Sequence, residues 1–444
     1  MEKSILNRFL KYVSLNILGM VSISCYILAD TFFISKSLGA RGLAALNLSI
    51  PIYSIVYGVG LMLGIGGSTR YSILKTKNED LEANRVYSIC VKTALLIGIV
   101  FAVIGLFFSS SLAIVFGADN NTLPMTETYL KTILCFSPFI IMNNVLISFV
   151  RNDNNPKLTM VAMLTGSFSN IFLDYIFMFP LGMGMFGAAF ATCLAPIISM
   201  GVLAIHFIRK DNNFKYIRYK IKLSYLRDIT SLGLSALVNE ISSAVVLITF
   251  NLVILRLEGN LGLASYGIVA NIALVAIAIF TGLAQGIQPI ISEGHGLNND
   301  LIVKKTLKYA LFTSISLAIL IYFGVVYNAE SIISIFNKDG NIEIAQIGKS
   351  GLIIYFIGFF FAGINIVMTM FLTATEQAKN AFTISILRGF IIIVPMVLLL
   401  SSIWKMTGVW LSFTFTEIIV TITTIYITVL NSKAILYLKF ESNS

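Results

Sequence analysis

Arg209-Lys210-Asp211-Asn212-Asn213-Phe214-Lys215-Tyr216-Ile217-Arg218-Tyr219-Lys220-Ile221-Lys222 is the stretch that divides this chain. With Arg227 it holds seven cations, and it is the one strongly charged stretch in 444 residues. Six apolar runs precede it, near 12–35, 46–69, 89–116, 129–150, 159–179 and 187–208. Six more follow, near 230–255, 265–292, 309–328, 346–373, 381–403 and 409–430. A helix needs about 20 mainly apolar residues to cross a bilayer, and each run has that length. The expectation is an all-α membrane protein of twelve transmembrane helices in two six-helix lobes. The lobes cover 1–208 and 229–444, with 209–228 as a cytoplasmic linker.

Composition agrees. The chain is 57% hydrophobic and 12% charged, with mean hydropathy +0.88. A soluble domain carries roughly a quarter charged residues. A net charge of +10 would suit nucleic acid, but the cations sit in short connections between apolar runs, where they act as orientation signals. Nucleic acid is therefore not an expected partner. Cys25, Cys90, Cys135 and Cys193 lie in apolar stretches without CxxC spacing and read as small hydrophobes. No small-residue cleavage site follows the first run, which reads as a retained span.

Orientation follows from the basic residues. With the N-terminus inside and the spans alternating, 24 of the 31 Lys and Arg fall on the inner side and 7 on the outer. That is a strong positive-inside bias, and it places both termini in the cytoplasm of a cell-membrane protein. The halves read as repeats. A shift of 224 residues lays Asn47 on Asn271, Gly58 on Gly282 and Ser68 on Ser292. Duplicated halves with an even number of spans share one orientation and leave a path between them.

The informative residues are charges that cannot escape to water. A carboxylate at the centre of a membrane helix costs roughly 2.5–3.5 kcal/mol on insertion scales, so it faces a bundle interior and often has a job. Asp30, Asp174, Glu240 and Glu417 lie well inside expected spans. Ser167, Asn170 and Asp174 fall on one helical face. Thr192 follows the small run Gly187-Ala188-Ala189, which lets another helix approach closely. A carboxyl group in such surroundings can load and release a proton, and oxygen ligands from Asp, Asn and Thr can equally hold Na⁺. The competing reading is a hydrogen-bond network that only joins helices. His206 and His295 fall at helix ends and read as solvated surface. No Walker A loop, HExxH or GxSxG with triad partners is present, which excludes ATP-driven transport by this chain alone and leaves no enzyme signature.

At these residues the chain resembles the multidrug and toxic compound extrusion (MATE) family, in its MepA-like and DinF-like bacterial branch. The resemblance spans essentially the whole sequence. It rests on Ala29-Asp30-Thr31-Phe32-Phe33-Ile34 with Leu38-Gly39 and the Gly42–Asn47 stretch, and on Arg151-Asn152-Asp153-Asn154-Asn155-Pro156-Lys157. The most specific piece is Asn170-Ile171-Phe172-Leu173-Asp174 followed by Gly184-Met185-Phe186-Gly187-Ala188-Ala189-Phe190-Ala191-Thr192. Gln285-Gly286-Ile287-Gln288-Pro289 and Gly408-Val409-Trp410 echo it in the second half. The resemblance implies two lobes in a V and alternating access, with export of small cationic or amphiphilic compounds against H⁺ or Na⁺. It implies no cofactor beyond the coupling ion.

Carried over by position, Asp30, Asn170, Asp174 and Thr192 match the family's N-lobe coupling cluster, as a proton or Na⁺ site. Glu240, Glu417 and Gln288 stand where some members have a C-lobe or substrate site, and Glu376 lies near a further acidic position. Many members carry a proline where Ser14-Leu15-Asn16 stands here. The expected function is secondary active efflux of drugs or organic cations by a monomer. The alternatives are a lipid-linked saccharide flippase, which needs a cationic cavity, and a membrane scaffold without transport.

Overall fold

The computed structural model describes residues 2–220, 222–337 and 340–430. Lys338 and the two C-terminal cations of the charge tally lie outside the described residues, as does the C-terminus itself. Every regular element among the described residues is helical.

Two continuous helical stretches, Glu2–Thr76 and Leu223–Gly296, run 75 and 74 residues. At about 1.5 Å per residue each would cover more than three hydrocarbon thicknesses of about 30 Å. Each is broken by one glycine in the left-handed region: Gly39 (φ 63°, ψ −154°) and Gly259 (φ 60°, ψ −146°). A side chain is strained there and glycine is not. Ile393–Leu430 breaks likewise at Trp404 and Lys405. Leu123–Cys135 and Ser137–Asn152 bend by 51° and count as one crossing; Pro138 opens the second piece, and its missing N–H interrupts the helical ladder.

Twelve spans result. They are span 1 (2–38), span 2 (40–76), span 3 (Asp80–Val115), span 4 (123–152), span 5 (Pro156–Met178) and span 6 (Gly184–Ile208). Then come span 7 (223–258), span 8 (260–296), span 9 (Asp300–Tyr327), span 10 (342–374), span 11 (378–403) and span 12 (406–430). Each apolar run read from the sequence falls within one of them, to a residue at the ends. Asparagines cap several. Asn155 Oδ1 accepts from the Leu158 N–H, Asn299 Oδ1 from that of Ile302, and Asn341 Oδ1 from those of Glu343 and Ile344.

The halves repeat, but at a shift of 220 residues and not 224. Gly39 corresponds to Gly259 and Asn78 to Asn298, both pairs at positive φ, and the helix starts Asp80 and Asp300 correspond as well. A four-residue slip is about one helical turn and keeps every side chain on its face. Apolar pattern alone could not tell the two registers apart.

The chain forms two compact units, Ser14–Ile241 and the remainder before and after it. Relative to a cut within 209–228, two segments change sides: residues before Ser14 pack with the second half, and 223–241 with the first. The exchange is reciprocal. Gly66 of span 2 lies directly on the backbone at Ile229 and Gly233 of span 7, and Gly286 of span 8 lies on Tyr12 and Val13 of span 1. The contact of Gly66 with Gly233 corresponds to that of Gly286 with Val13 at a shift of 220. In the second unit Arg8 Nη1 donates to Glu293 Oε1 at 2.9 Å, fixing the same contact.

The first unit's core is built on Ile34, Val56, Tyr71, Tyr87 and Phe149. The other is aromatic, with Tyr355 stacked on Phe413 (centroids 4.3 Å apart) beside Phe280, Phe359 and Trp410. Large apolar side chains remain exposed on span 3, including Leu96, Val100, Leu106 and Phe107, as a surface facing lipid requires.

A Cβ at Gly66 would overlap the Ile229 carbonyl oxygen, whereas one at Gly201 meets nothing. Gly66→Ala should destabilise the protein by about 1–3 kcal/mol and Gly201→Ala should be neutral. Melting temperatures of the purified proteins check this.

Candidate functional site

Spans 1, 5 and 6 bring the polar stripe together inside the first unit. Asp30, Ser167, Asn170, Asp174 and Thr192 are all buried. Asn170 joins the group: in the orientation that satisfies both ends of its amide, the nitrogen donates to Asp174 Oδ2 (3.1 Å) and the oxygen accepts from the Thr192 backbone N–H (3.2 Å). One turn earlier, the Ser167 and Ser22 hydroxyls lie 3.1 Å apart and tie span 5 to span 1. Asp30 Oδ1 and Asp174 Oδ1 have no hydrogen-bond partner among the described residues. The Asp30 charge acts on Asp174, and both act on the phenols of Tyr26 and Tyr129.

A buried acceptor normally has a partner, and two interacting carboxylates strongly disfavour double ionisation. Chemically, such a pair can take up a proton on either acid, and carboxylate, amide and hydroxyl oxygens are the ligand types that suit a hard cation.

Next to Ser167 opens a small cavity of about 50 Å³, lined by Tyr26, Tyr53, Tyr57, Asn143, Met163 and Ser199 among others. Tyr53 and Tyr57 stack (centroids 5.9 Å apart), and the Tyr26 and Tyr53 hydroxyls meet at 3.3 Å. Aromatic faces, a thioether and scattered hydroxyls form its wall. No Lys or Arg lines it.

Glu240 also lies in this unit, although the sequence set it in the second lobe. It packs its Cβ near Gly58, and its charge acts on Tyr26 and Tyr57. The reason is the reciprocal exchange: the first turns of span 7 belong to the first unit. Asn16 of span 1 is buried, and its Oδ1 accepts from the buried Arg151 Nη1 at 2.9 Å.

His206 corrects its sequence reading. It is not a solvated helix end but is 1% exposed. Its Nε2 lies 2.9 Å from Asp153 Oδ2, and its Nδ1 is 3.3 Å from the Asn155 amide. Asp153, in the turn after span 4, also accepts from the Tyr71 hydroxyl and from Asn213. His295 stays half-buried, 3.9 Å from Glu376, which sits in the turn after span 10 at φ 59°.

The second unit treats its carboxylate differently. Glu417 of span 12 is 1% exposed and fully engaged. Its Oε1 accepts from Arg388 Nε at 2.6 Å and its Oε2 from Asn365 Nδ2 at 2.7 Å. The Thr421 hydroxyl donates to Asn365 Oδ1 at 3.1 Å. Arg388 sits in a π-helical turn, Leu387–Ile391, of span 11. It is the eighth residue of the apolar run 381–403, which is the sequence signal that it lies within the span. Gln288 is buried and bonds Ser292, and does not contribute to this pair.

A family profile described as MatE matches residues 16–176 and again 236–399. The two matches begin 220 residues apart, the interval found between the glycine breaks. The chain belongs to the MatE family. It is a MATE family transporter of the MepA-like branch. It is 29% identical over 416 residues to the multidrug export protein MepA of Staphylococcus haemolyticus, covering 92% of this chain and 90% of that one. To MepA of Staphylococcus aureus (strain NCTC 8325) it is 27% identical over 420 residues, with 92% and 90% covered. Among solved structures it resembles an outward-facing multidrug resistance MATE family transporter of the MOP superfamily, with TM-score 0.90, 20% identity and 98% and 96% coverage. A MOP superfamily transporter from Pyrococcus furiosus gives TM-score 0.89 at the same identity and coverage.

Glu417→Gln would leave Arg388 beside a neutral group. Removing one partner of a buried pair costs about 3–5 kcal/mol; Arg388 keeps 18% of its side-chain exposure, so the loss should fall at or below the low end. The double replacement Arg388→Met with Glu417→Leu should recover most of it, as read from melting temperatures.

Proposed function

We propose that this MATE transporter exports small cationic and amphiphilic drugs by antiport against H⁺ or Na⁺. One observation carries the reading: two buried, interacting carboxylates, Asp30 and Asp174, have no ion pair among the described residues and lie near a small aromatic cavity. A cation entering from outside neutralises the pair. Its binding favours the state that releases drug, and its departure to the cytoplasm resets the carrier. Asn170 and Thr192 position Asp174, and complete the oxygen set when the ion is Na⁺. The names of the MepA relatives support multidrug export, and the cavity's tyrosines and Met163 support flat cationic substrates.

Glu240 extends the acidic field along Tyr26 and Tyr57 and serves as a substrate-facing charge. Glu417 and Gln288 act in the second lobe as structural supports rather than as an ion site. The protein works as a monomer in the cell membrane with both termini cytoplasmic, which the 24-to-7 division of Lys and Arg supports. Exchange of one coupling ion for one monovalent cationic drug moves no net charge, so the H⁺ or Na⁺ gradient drives it; for a neutral drug a potential adds roughly 2.3 kcal/mol per 100 mV. A lipid-linked saccharide flippase needs cations in its cavity for a pyrophosphate group, and the lining here has none.

In proteoliposomes, an imposed pH or Na⁺ gradient should drive efflux of a fluorescent cation, and the gradient that works names the ion. Asp30→Asn and Asp174→Asn should each reduce gradient-driven efflux to background, with folded protein retained. Persistence of coupled efflux in both variants would show the cluster to be structural.

A further inference from the structure

The charged stretch that opens the sequence reading has no regular secondary structure over 211–220, yet it is tightly held to the first unit. Phe214 is fully buried among Tyr71, Tyr87, Phe149 and Phe207, with ring centroids 4.5–5.9 Å away. The Asn213 N–H donates to Asp153, the Lys215 N–H to Asn84 Oδ1 (2.7 Å) and the Ile217 N–H to Ser88 Oγ (2.8 Å). Lys92 donates to the Tyr219 carbonyl. An extended chain alternates its faces. Here the anchored positions 214, 217 and 219 alternate with Lys215, Arg218 and Lys220, which are exposed, as are Arg209, Lys210, Lys222 and Arg227.

We propose that this pinned strap is a docking surface for the phosphate headgroups of anionic lipids in the leaflet it borders. Depth is the first reason. Arg209 directly follows Ile208 and Lys222 directly precedes Leu223, and these two apolar side chains are 77% and 79% exposed at the ends of spans 6 and 7. The strap therefore leaves the apolar layer at Ile208 without a spacer, and its far end runs into the first turns of span 7, where Arg227 is still exposed, which puts its cations at headgroup level, within reach of lipid phosphate.

Charge is the second reason. Seven cations face only Asp211 and Asp228 within 209–228, and no carboxylate among the described residues pairs with any of the seven. Rigidity is the third. The anchors have already ordered the backbone, so a lipid need not order it. Tyr216, 54% exposed between Lys215 and Ile217, supplies the amphipathic ring favoured at this depth.

The test counts lipid retained by the purified full-length protein in detergent, by native mass spectrometry, after titration with phosphatidylglycerol or phosphatidylcholine. The wild type should keep phosphatidylglycerol in preference. The variant K215Q/R218Q/K220Q/K222Q should need roughly tenfold more of it for equal occupancy. A variant with the same charge loss at other exposed lysines, K3Q/K77Q/K157Q/K379Q, should behave like the wild type. Free inorganic phosphate should not displace the lipid. Equal retention by the strap variant, equal loss in the matched variant, or displacement by free phosphate would each overturn the assignment. If the quadruple variant does not fold, K215Q/R218Q and K220Q/K222Q carry the same comparison. The readout involves no transport, so it stands apart from the drug-antiport reading.

Discussion

A charge held in a low-dielectric bundle must be matched or neutralised, and the two units meet that constraint in opposite ways. In the second, Glu417 is matched by Arg388 and Asn365. In the first, Asp30 and Asp174 each keep an oxygen with no protein partner. The protein that surrounds Glu417 is complete without a ligand. In the proposed antiport, an incoming cation completes the protein around Asp30 and Asp174. A duplicated scaffold with near-identical breaks, turns and glycine contacts therefore carries an asymmetric electrostatic load, and the asymmetry is the basis of the coupling reading.

The fold was legible because the bilayer imposes a length and an apolar composition that few sequences meet by chance. Twelve runs marked twelve spans. Register between the halves was not legible in the apolar pattern, because shifts of 220 and 224 place the same faces together; the backbone breaks at Gly39 and Gly259 and the turns at Asn78 and Asn298 separate them. The exchange of the first turns of spans 1 and 7 was likewise hidden, since periodicity says nothing about which neighbour a helix end touches. It is what moved Glu240 into the first unit.

The polar cluster was legible as far as a single helix reaches. Asn170 and Asp174 had to share a face, and Ser167 had to precede them. That Asp30 and Thr192 join them is a tertiary fact, reached from sequence only through family resemblance. His206 was misread because helix ends usually meet water, and nothing in its neighbours announced that Asp153 and the strap would fold over it. The missing information was the partner, and a buried charge is interpretable only with its partner in view.

The central claim, that the Asp30–Asp174 pair holds one exchangeable cation linked to drug, can be measured without any gradient. Drug is added to purified protein in weakly buffered solution while pH and free Na⁺ are followed together. The account predicts release of about one cation per drug bound, as H⁺ or as Na⁺, and none from the Asp30→Asn, Asp174→Asn double variant. Drug binding with no cation released by the wild type, or with equal release by the double variant, would contradict it.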